Sequence, residues 1–113
     1  MLIDIGEKIH VIERRRFESD IRRHFFGEVD RVEAEGARVV GYAFVFDPGS
    51  NTYVRSNGPR SRVMPLSAHG FIVNIAPVDT AVEDVRYEER SGRLVVTDGG
   101  DFVLDINEFG RLR

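Results

Sequence analysis

The pattern of hydrophobic and polar positions is that of short β-strands separated by turns. Runs rich in Val, Ile, Phe and Tyr alternate with Gly, Asp, Asn and Pro, at intervals of roughly ten residues that are typical of all-β sandwiches and barrels. The clearest run covers residues 37–47 and has large apolar residues on both of its alternating faces. Such a strand is expected to be central, covered on both sides by the same chain or by a second subunit. Gly41 in its middle predicts a bulge or a sharp bend.

Two further regions predict strands that are neighbours in sequence and in space. Residues 63–67 and 71–75 flank a short turn, which favours a hairpin whose first strand lies at a sheet edge because it contains Pro65. The last third of the chain alternates between apolar and polar positions in three short runs, separated by turns at residues 91–92 and 98–101. These runs predict a meander of adjacent antiparallel strands.

The arginine-rich segment 14–25 is compatible with two structures. If strands lie on either side of the arginines, His10 and His24 come close to opposite one another. If the segment is instead a short helix, Phe17 and Ile21 share one of its faces. Both alternatives stay open on the sequence alone.

These patterns predict one domain that spans residues 1–113. The expected fold class is all-β, or β-rich with one short helix, with about eight strands in a small antiparallel meander that forms a barrel or a sandwich. A chain of 113 residues is close to the usual size of a single domain. It contains no cysteine, so disulfides and thiolate metal sites are excluded.

Charge is unevenly distributed along the chain, although the formal net charge is only −3. Residues 48–78 contain no Asp or Glu and carry Arg55, Arg60 and Arg62. We predict that these three arginines bind an anionic ligand or an acidic protein partner. Neighbouring aromatic residues would allow bases to stack, as in barrels that bind single-stranded nucleic acid. The net negative charge makes nucleic acid the less favoured partner.

The aromatic content predicts self-association. The chain has eight Phe and three Tyr, more large aromatic surface than a small β-domain always buries, and some of it is expected to form a subunit interface. A homodimer is the simplest such assembly. The candidate interface residues are Phe25, Phe26, Tyr42, Phe44 and Phe46.

No membrane or export signal is visible. The chain has no uncharged apolar stretch near the roughly 20 residues that a membrane-spanning helix requires. Its first ten residues carry Asp4 and Glu7 where a secretory signal would carry positive charge and an apolar run. The sequence therefore predicts a cytoplasmic protein.

Candidate catalytic chemistry is limited to the three histidines, because no serine-hydrolase, dinucleotide or P-loop motif occurs. His10, His24 and His69 match no metal-ligand spacing, and we predict no metal and no cofactor. Asp20 or Glu28 would complete a site if His10 and His24 lie opposite one another. The sequence favours the alternative that the three histidines are unrelated surface or half-buried side chains.

The sequence therefore favours a non-catalytic binding or interaction module that self-associates and binds an anion through the Arg55–Arg62 loop. The alternatives are a single-stranded nucleic-acid-binding barrel and a small enzyme. The enzyme would use His24 or His69 as acid or base, beside a carboxylate in a barrel pocket.

Overall fold

The computed structural model describes residues 2–68 and 70–106, which form two antiparallel sheets. This part of the chain contains nine strands and one turn of 3-10 helix, Val82–Asp84. The strands are β1 (Lys8–Glu13), β2 (Arg23–Glu33), β3 (Gly36–Asp47), β4 (Thr52–Arg55), β5 (Arg60–Met64), β6 (Phe71–Ala76), β7 (Arg86–Arg90), β8 (Arg93–Thr97) and β9 (Val103–Asp105).

The larger sheet has six strands in the order β4-β3-β2-β1-β6, with β5 also paired to β3. Strand β3 is long enough to serve two partners along one edge: its end at 44–47 pairs with β4, and its beginning at 37–41 pairs with β5. The smaller sheet is the meander β7-β8-β9. The predicted all-β class and the predicted C-terminal meander are confirmed.

Alternation along the strands of the larger sheet gives it two buried faces. One face packs against the smaller sheet, where Phe26 and Phe44 meet Val96 and Phe102. The opposite face buries Ile9, Val11, Phe25, Val29, Ala37, Val39 and Met64 in a second cluster. The expected two-sided burial of the run 37–47 is therefore found within a single chain. The packing of two sheets is that of a sandwich, and within residues 2–68 and 70–106 the larger sheet does not close into a barrel.

Two local predictions are wrong. Strands β5 and β6 do not form a hairpin, because β5 pairs with β3 while β6 pairs with β1 on the other side of the sheet. This arrangement lets Met64 and Phe71 approach the second cluster from opposite edges of the sheet. The bulge lies in β2, between Val29 and Arg31, and not at Gly41.

Gly41 instead permits a close approach of two strands. It pairs with Gly27 in an unbroken part of the β2–β3 ladder. A Cβ atom added at Gly41 would lie 2.0 Å from the Phe26 carbonyl oxygen. The absence of a side chain is therefore required by contact with backbone and not by a turn.

The segment between β1 and β2 is an irregular loop and not a helix. The Asp20 carboxylate accepts hydrogen bonds from the backbone N–H groups of Arg16 and Phe17, each at 3.1 Å. These bonds offer the backbone a partner that competes with helical hydrogen bonding. Among the residues that the structure describes, no helix has the length and apolar character needed to cross a membrane.

Candidate functional site

The site is built on the face of the larger sheet that packs against the smaller one. His24 of β2 pairs with Ile12 of β1 in the antiparallel register, so His10, two residues before Ile12, projects from the same face as His24. Their rings meet edge to face, with centroids 5.1 Å apart. The pairing of strands on either side of the arginines, one of the two alternatives from the sequence, thus brings the two histidines together.

Tyr87 of the smaller sheet connects the two imidazoles. Its hydroxyl oxygen lies 2.7 Å from Nε2 of His10 and 2.5 Å from Nδ1 of His24. His10 is fully buried, and His24 and Tyr87 retain only 8% and 9% of their exposure. The result is a buried His10–Tyr87–His24 chain of hydrogen bonds across the interface between the sheets, which we call the His–Tyr–His chain.

Aromatic rings hold this chain in place. Tyr53 of β4 stacks on His24 at a centroid distance of 4.3 Å and on Tyr87 at 4.5 Å. Phe44 meets the Tyr87 ring edge to face at 5.0 Å. Because stacked and edge-to-face rings fix both position and tilt, the His24 imidazole and the Tyr87 hydroxyl have little freedom to reorient.

Burial keeps both imidazoles neutral. Burial, and then the positive charge that His24 would carry, together lower the pKa of His10 from 6.5 to about 3. Burial and then the charge of Arg22 lower the pKa of His24 to about 4. The pKa of Tyr87 is raised well above its usual range, first by burial and then by the nearby Tyr53. At neutral pH the three side chains of the His–Tyr–His chain are therefore uncharged.

A pocket of about 780 Å³ opens between the sheets and reaches His24 and Tyr53. Its apolar lining comes from Ile12, Phe46, Leu94 and Ile106, and its uncharged polar lining includes Ser50, Asn51 and Thr52. Its charged lining comes from Arg22, Glu89 and Arg93. The Arg22 guanidinium lies 5.3 Å above the centre of the Phe46 ring, and Arg93 forms an ion pair with Asp105.

The three arginines of the predicted anion site do not share one face. Arg55 pairs with Phe44, whereas Arg62 pairs with Val39, on the opposite face of β3. The Arg55 guanidinium lies 4.6 Å above the Tyr42 ring. It also donates a 2.7 Å hydrogen bond to the Glu83 carbonyl oxygen, which joins β4 of the larger sheet to the 3-10 turn before the smaller sheet.

The other two arginines lie on exposed β5, where Arg62 lies 5.7 Å above the Phe25 ring. Binding of an anion by Arg60 and Arg62 stays a prediction.

The five predicted interface aromatics lie within the packing of one chain. Phe25, Phe26 and Phe44 are buried, and Tyr42 and Phe46 pack against the first cluster. Intrachain contacts thus account for most of this aromatic surface, and the homodimer stays a prediction.

Other residues proposed from the sequence lie away from the His–Tyr–His chain. Asp20 bonds to the backbone of its own loop, and Glu28 lies 4.0 Å from Lys8. His69 is outside the described residues. Across 2–68 and 70–106, no three His, Asp or Glu side chains are grouped closely enough to hold a metal ion.

Sequence reasoning missed the role of Tyr87 and the pocket contribution of Arg22. Tyr87 occupies an alternating position in a predicted strand, which indicates a buried face but not what it faces. Its contact with the histidines depends on how the smaller sheet docks, and no local pattern specifies that docking.

Removing the Tyr87 hydroxyl is expected to destabilise the fold. Tyr87→Phe leaves His10 Nε2 and His24 Nδ1 buried without their shared partner, which should lower the free energy of unfolding by about 1–3 kcal/mol. The measurement is urea denaturation at pH 7. Tyr42→Phe is the matched control, because Tyr42 is only half-buried and packs beneath Arg55. An equal loss in both variants would contradict the role assigned to the Tyr87 hydroxyl.

Comparison of the chain with models of known protein families, with curated protein sequences and with solved structures gives no match.

Proposed function

We propose that this protein is a binding module for a small molecule, which enters the pocket between the sheets and contacts His24 and Tyr53 at its inner wall. The observation that carries the proposal is the position of the His–Tyr–His chain directly behind a pocket of about 780 Å³. This volume falls within the roughly 300–1,000 Å³ of ordinary ligand sites. Such sites combine apolar walls with polar groups that fix the ligand, and the lining of this pocket contains both.

The energetics of the core support a role beyond folding. The positions around the His–Tyr–His chain are filled by Phe26, Phe44 and Phe102. Apolar side chains of similar volume in place of the two histidines would pack among them without losing contacts with water. An imidazole buried in the same place loses water contacts, and Nδ1 of His10 has no hydrogen-bond partner. Buried titratable groups with strongly shifted pKa values, placed behind a pocket, support a binding site there.

Acid–base catalysis at His24 is the second candidate. The Tyr87 hydroxyl orients the imidazole through Nδ1, as an orienting group does for a catalytic base. However, an effective acid or base has a pKa near the working pH, and the pKa of His24 is about 4. Only about one molecule in a thousand would carry the proton at pH 7. Binding is therefore favoured over catalysis at neutral pH.

Native mass spectrometry of the protein purified from its own host tests the binding proposal. We expect an added small-molecule mass on the folded chain, and we expect Leu94→Trp to remove it by filling the pocket. Val63→Trp is the control, because Val63 is 78% exposed and does not line the pocket. An added mass that persists in Leu94→Trp would place the ligand elsewhere on the protein.

A further inference from the structure

The polarity of the pocket can be deduced from a buried imidazole nitrogen that has no hydrogen-bond partner. Nδ1 of His10 is buried and makes no hydrogen bond. In folded proteins a buried N–H without an acceptor is rarer than a buried acceptor without a donor. The proton of neutral His10 therefore belongs on Nε2, from which it is donated to the Tyr87 oxygen.

This assignment sets the donor and the acceptor of each hydrogen bond in the His–Tyr–His chain. The Tyr87 oxygen accepts from His10, so its own hydroxyl proton is donated to Nδ1 of His24. Because neutral histidine carries one ring proton, the proton of His24 must be on Nε2. His24 therefore offers the pocket an N–H donor and not a lone pair.

Tyr53, which also lines the pocket, offers a hydrogen-bond donor like His24. The pKa of Tyr53 is raised by burial, an effect that the positive charge of Arg22 partly offsets. Tyr53 therefore keeps its phenolic proton at neutral pH and can donate it. The positive charge of Arg93 is neutralised by Asp105. Arg22 and Glu89 are both exposed, so solvent screens both charges, and the preference for an anion therefore depends on the donors of Tyr53 and His24 beside Arg22.

We propose that the pocket selects an organic anion, whose carboxylate or phosphate oxygens accept hydrogen bonds from the Arg22 guanidinium, the Tyr53 hydroxyl and Nε2–H of His24. The inference rests on the function proposed above and names the class of its ligand. The apolar walls formed by Ile12 and Leu94 face the body of that molecule. An ammonium or amidine in the same position would find donors where it needs acceptors.

The test uses four aromatic probes of similar size: benzoate, phenyl phosphate, benzyl alcohol and benzylamine. Each is titrated into the ¹⁵N-labelled full chain at pH 7 and followed by NMR. We expect an anion to bind at least about tenfold more tightly than benzyl alcohol, since a charge-assisted hydrogen bond is worth roughly that ratio. Benzylamine should bind least. Tighter binding of benzoate would identify the ligand as a carboxylate, and tighter binding of phenyl phosphate would identify a phosphate.

Two variants separate this site from other cationic surface. Arg22→Gln should weaken binding of the anionic probes about tenfold, while Arg62→Gln should leave it unchanged because Arg62 lies on the other face of the sheet. Both arginines are exposed, so neither change is expected to unfold the protein. Weakening by Arg62→Gln with no effect of Arg22→Gln would overturn the inference and favour the β5 arginines.

The tautomer of His24 gives an independent readout. In a long-range ¹H–¹⁵N spectrum at pH 7, we expect the pattern of a neutral ring protonated at Nε2. A ring protonated at Nδ1 would overturn the inference. Equal binding of benzyl alcohol and the anions would also overturn it, while leaving the pocket itself in place. If none of the probes perturbed Leu94 or Tyr53, the proposed function would fail together with the inference.

Discussion

Gly41→Ala is expected to abolish the stable fold. The added Cβ would lie 2.0 Å from the Phe26 carbonyl oxygen and 2.4 Å from Cα of Gly27, both of which belong to the backbone of β2. No side-chain rotation relieves such overlap, so strands β2 and β3 would have to separate at the centre of the larger sheet. We expect a loss of at least about 4 kcal/mol in the free energy of unfolding, at the upper end of the range for point mutations.

Gly58→Ala is the matched control for this prediction. A Cβ at Gly58 meets no atom within 4 Å, and alanine restricts the unfolded chain more than glycine does, so stability should be unchanged or slightly higher. Thermal and urea denaturation followed by circular dichroism measure both variants. A Gly41→Ala protein as stable as the parent would show that β2 and β3 are not in this close register.

Lowering the pH from 6.5 to 4.5 is expected to destabilise the protein strongly through its two buried histidines. The pKa values of His10 and His24 in the folded chain are about 3 and about 4, against a usual 6.5. As the pH falls below 6.5, the unfolded chain binds protons that the folded chain excludes, so stability present at neutral pH is lost. Each histidine contributes about 1.4 kcal/mol per pH unit.

By pH 4.5 the two histidines together should lower the free energy of unfolding by roughly 5 kcal/mol, which is comparable to the whole stability of many small domains. Urea denaturation between pH 7.5 and 4.5 measures this slope. His24→Gln and His10→Gln each remove one titrating group, and each should reduce the slope by about 1.4 kcal/mol per pH unit. A parent protein whose stability is flat over this range would contradict the burial of both imidazoles.

Local pattern predicted most of the elements in this fold. The period-two alternation in residues 37–47 and the turn residues at 91–92 and 98–101 appear as β3 and the C-terminal meander. These signals depend on neighbouring residues alone, and they survive in any tertiary arrangement. The hairpin at 63–75 failed because its strands had better partners in the long β3 and in β1, a choice decided by contacts distant in sequence.

The candidate site was predictable only in part. Antiparallel pairing of β1 and β2 was sufficient to bring His10 and His24 together, because both strands could be read from the sequence. The contribution of Tyr87 depends on the docking of a separate sheet. The Arg55–Arg62 loop had a clear charge pattern, yet Arg55 pairs with Phe44 and Arg62 pairs with Val39, which face opposite sides of β3. Proximity in sequence therefore did not bring Arg55 and Arg62 together in space.

The pH titration of the imidazole signals tests the central claim, that His10 and His24 are a buried neutral pair joined through Tyr87. A His69→Gln variant leaves only these two histidines to observe by NMR. We predict that neither ring titrates between pH 7.5 and 5.5, and that both stay neutral until acid unfolds the chain. A folded protein in which either ring titrated near its usual value of 6.5 would contradict the account, because that imidazole would then be in contact with water.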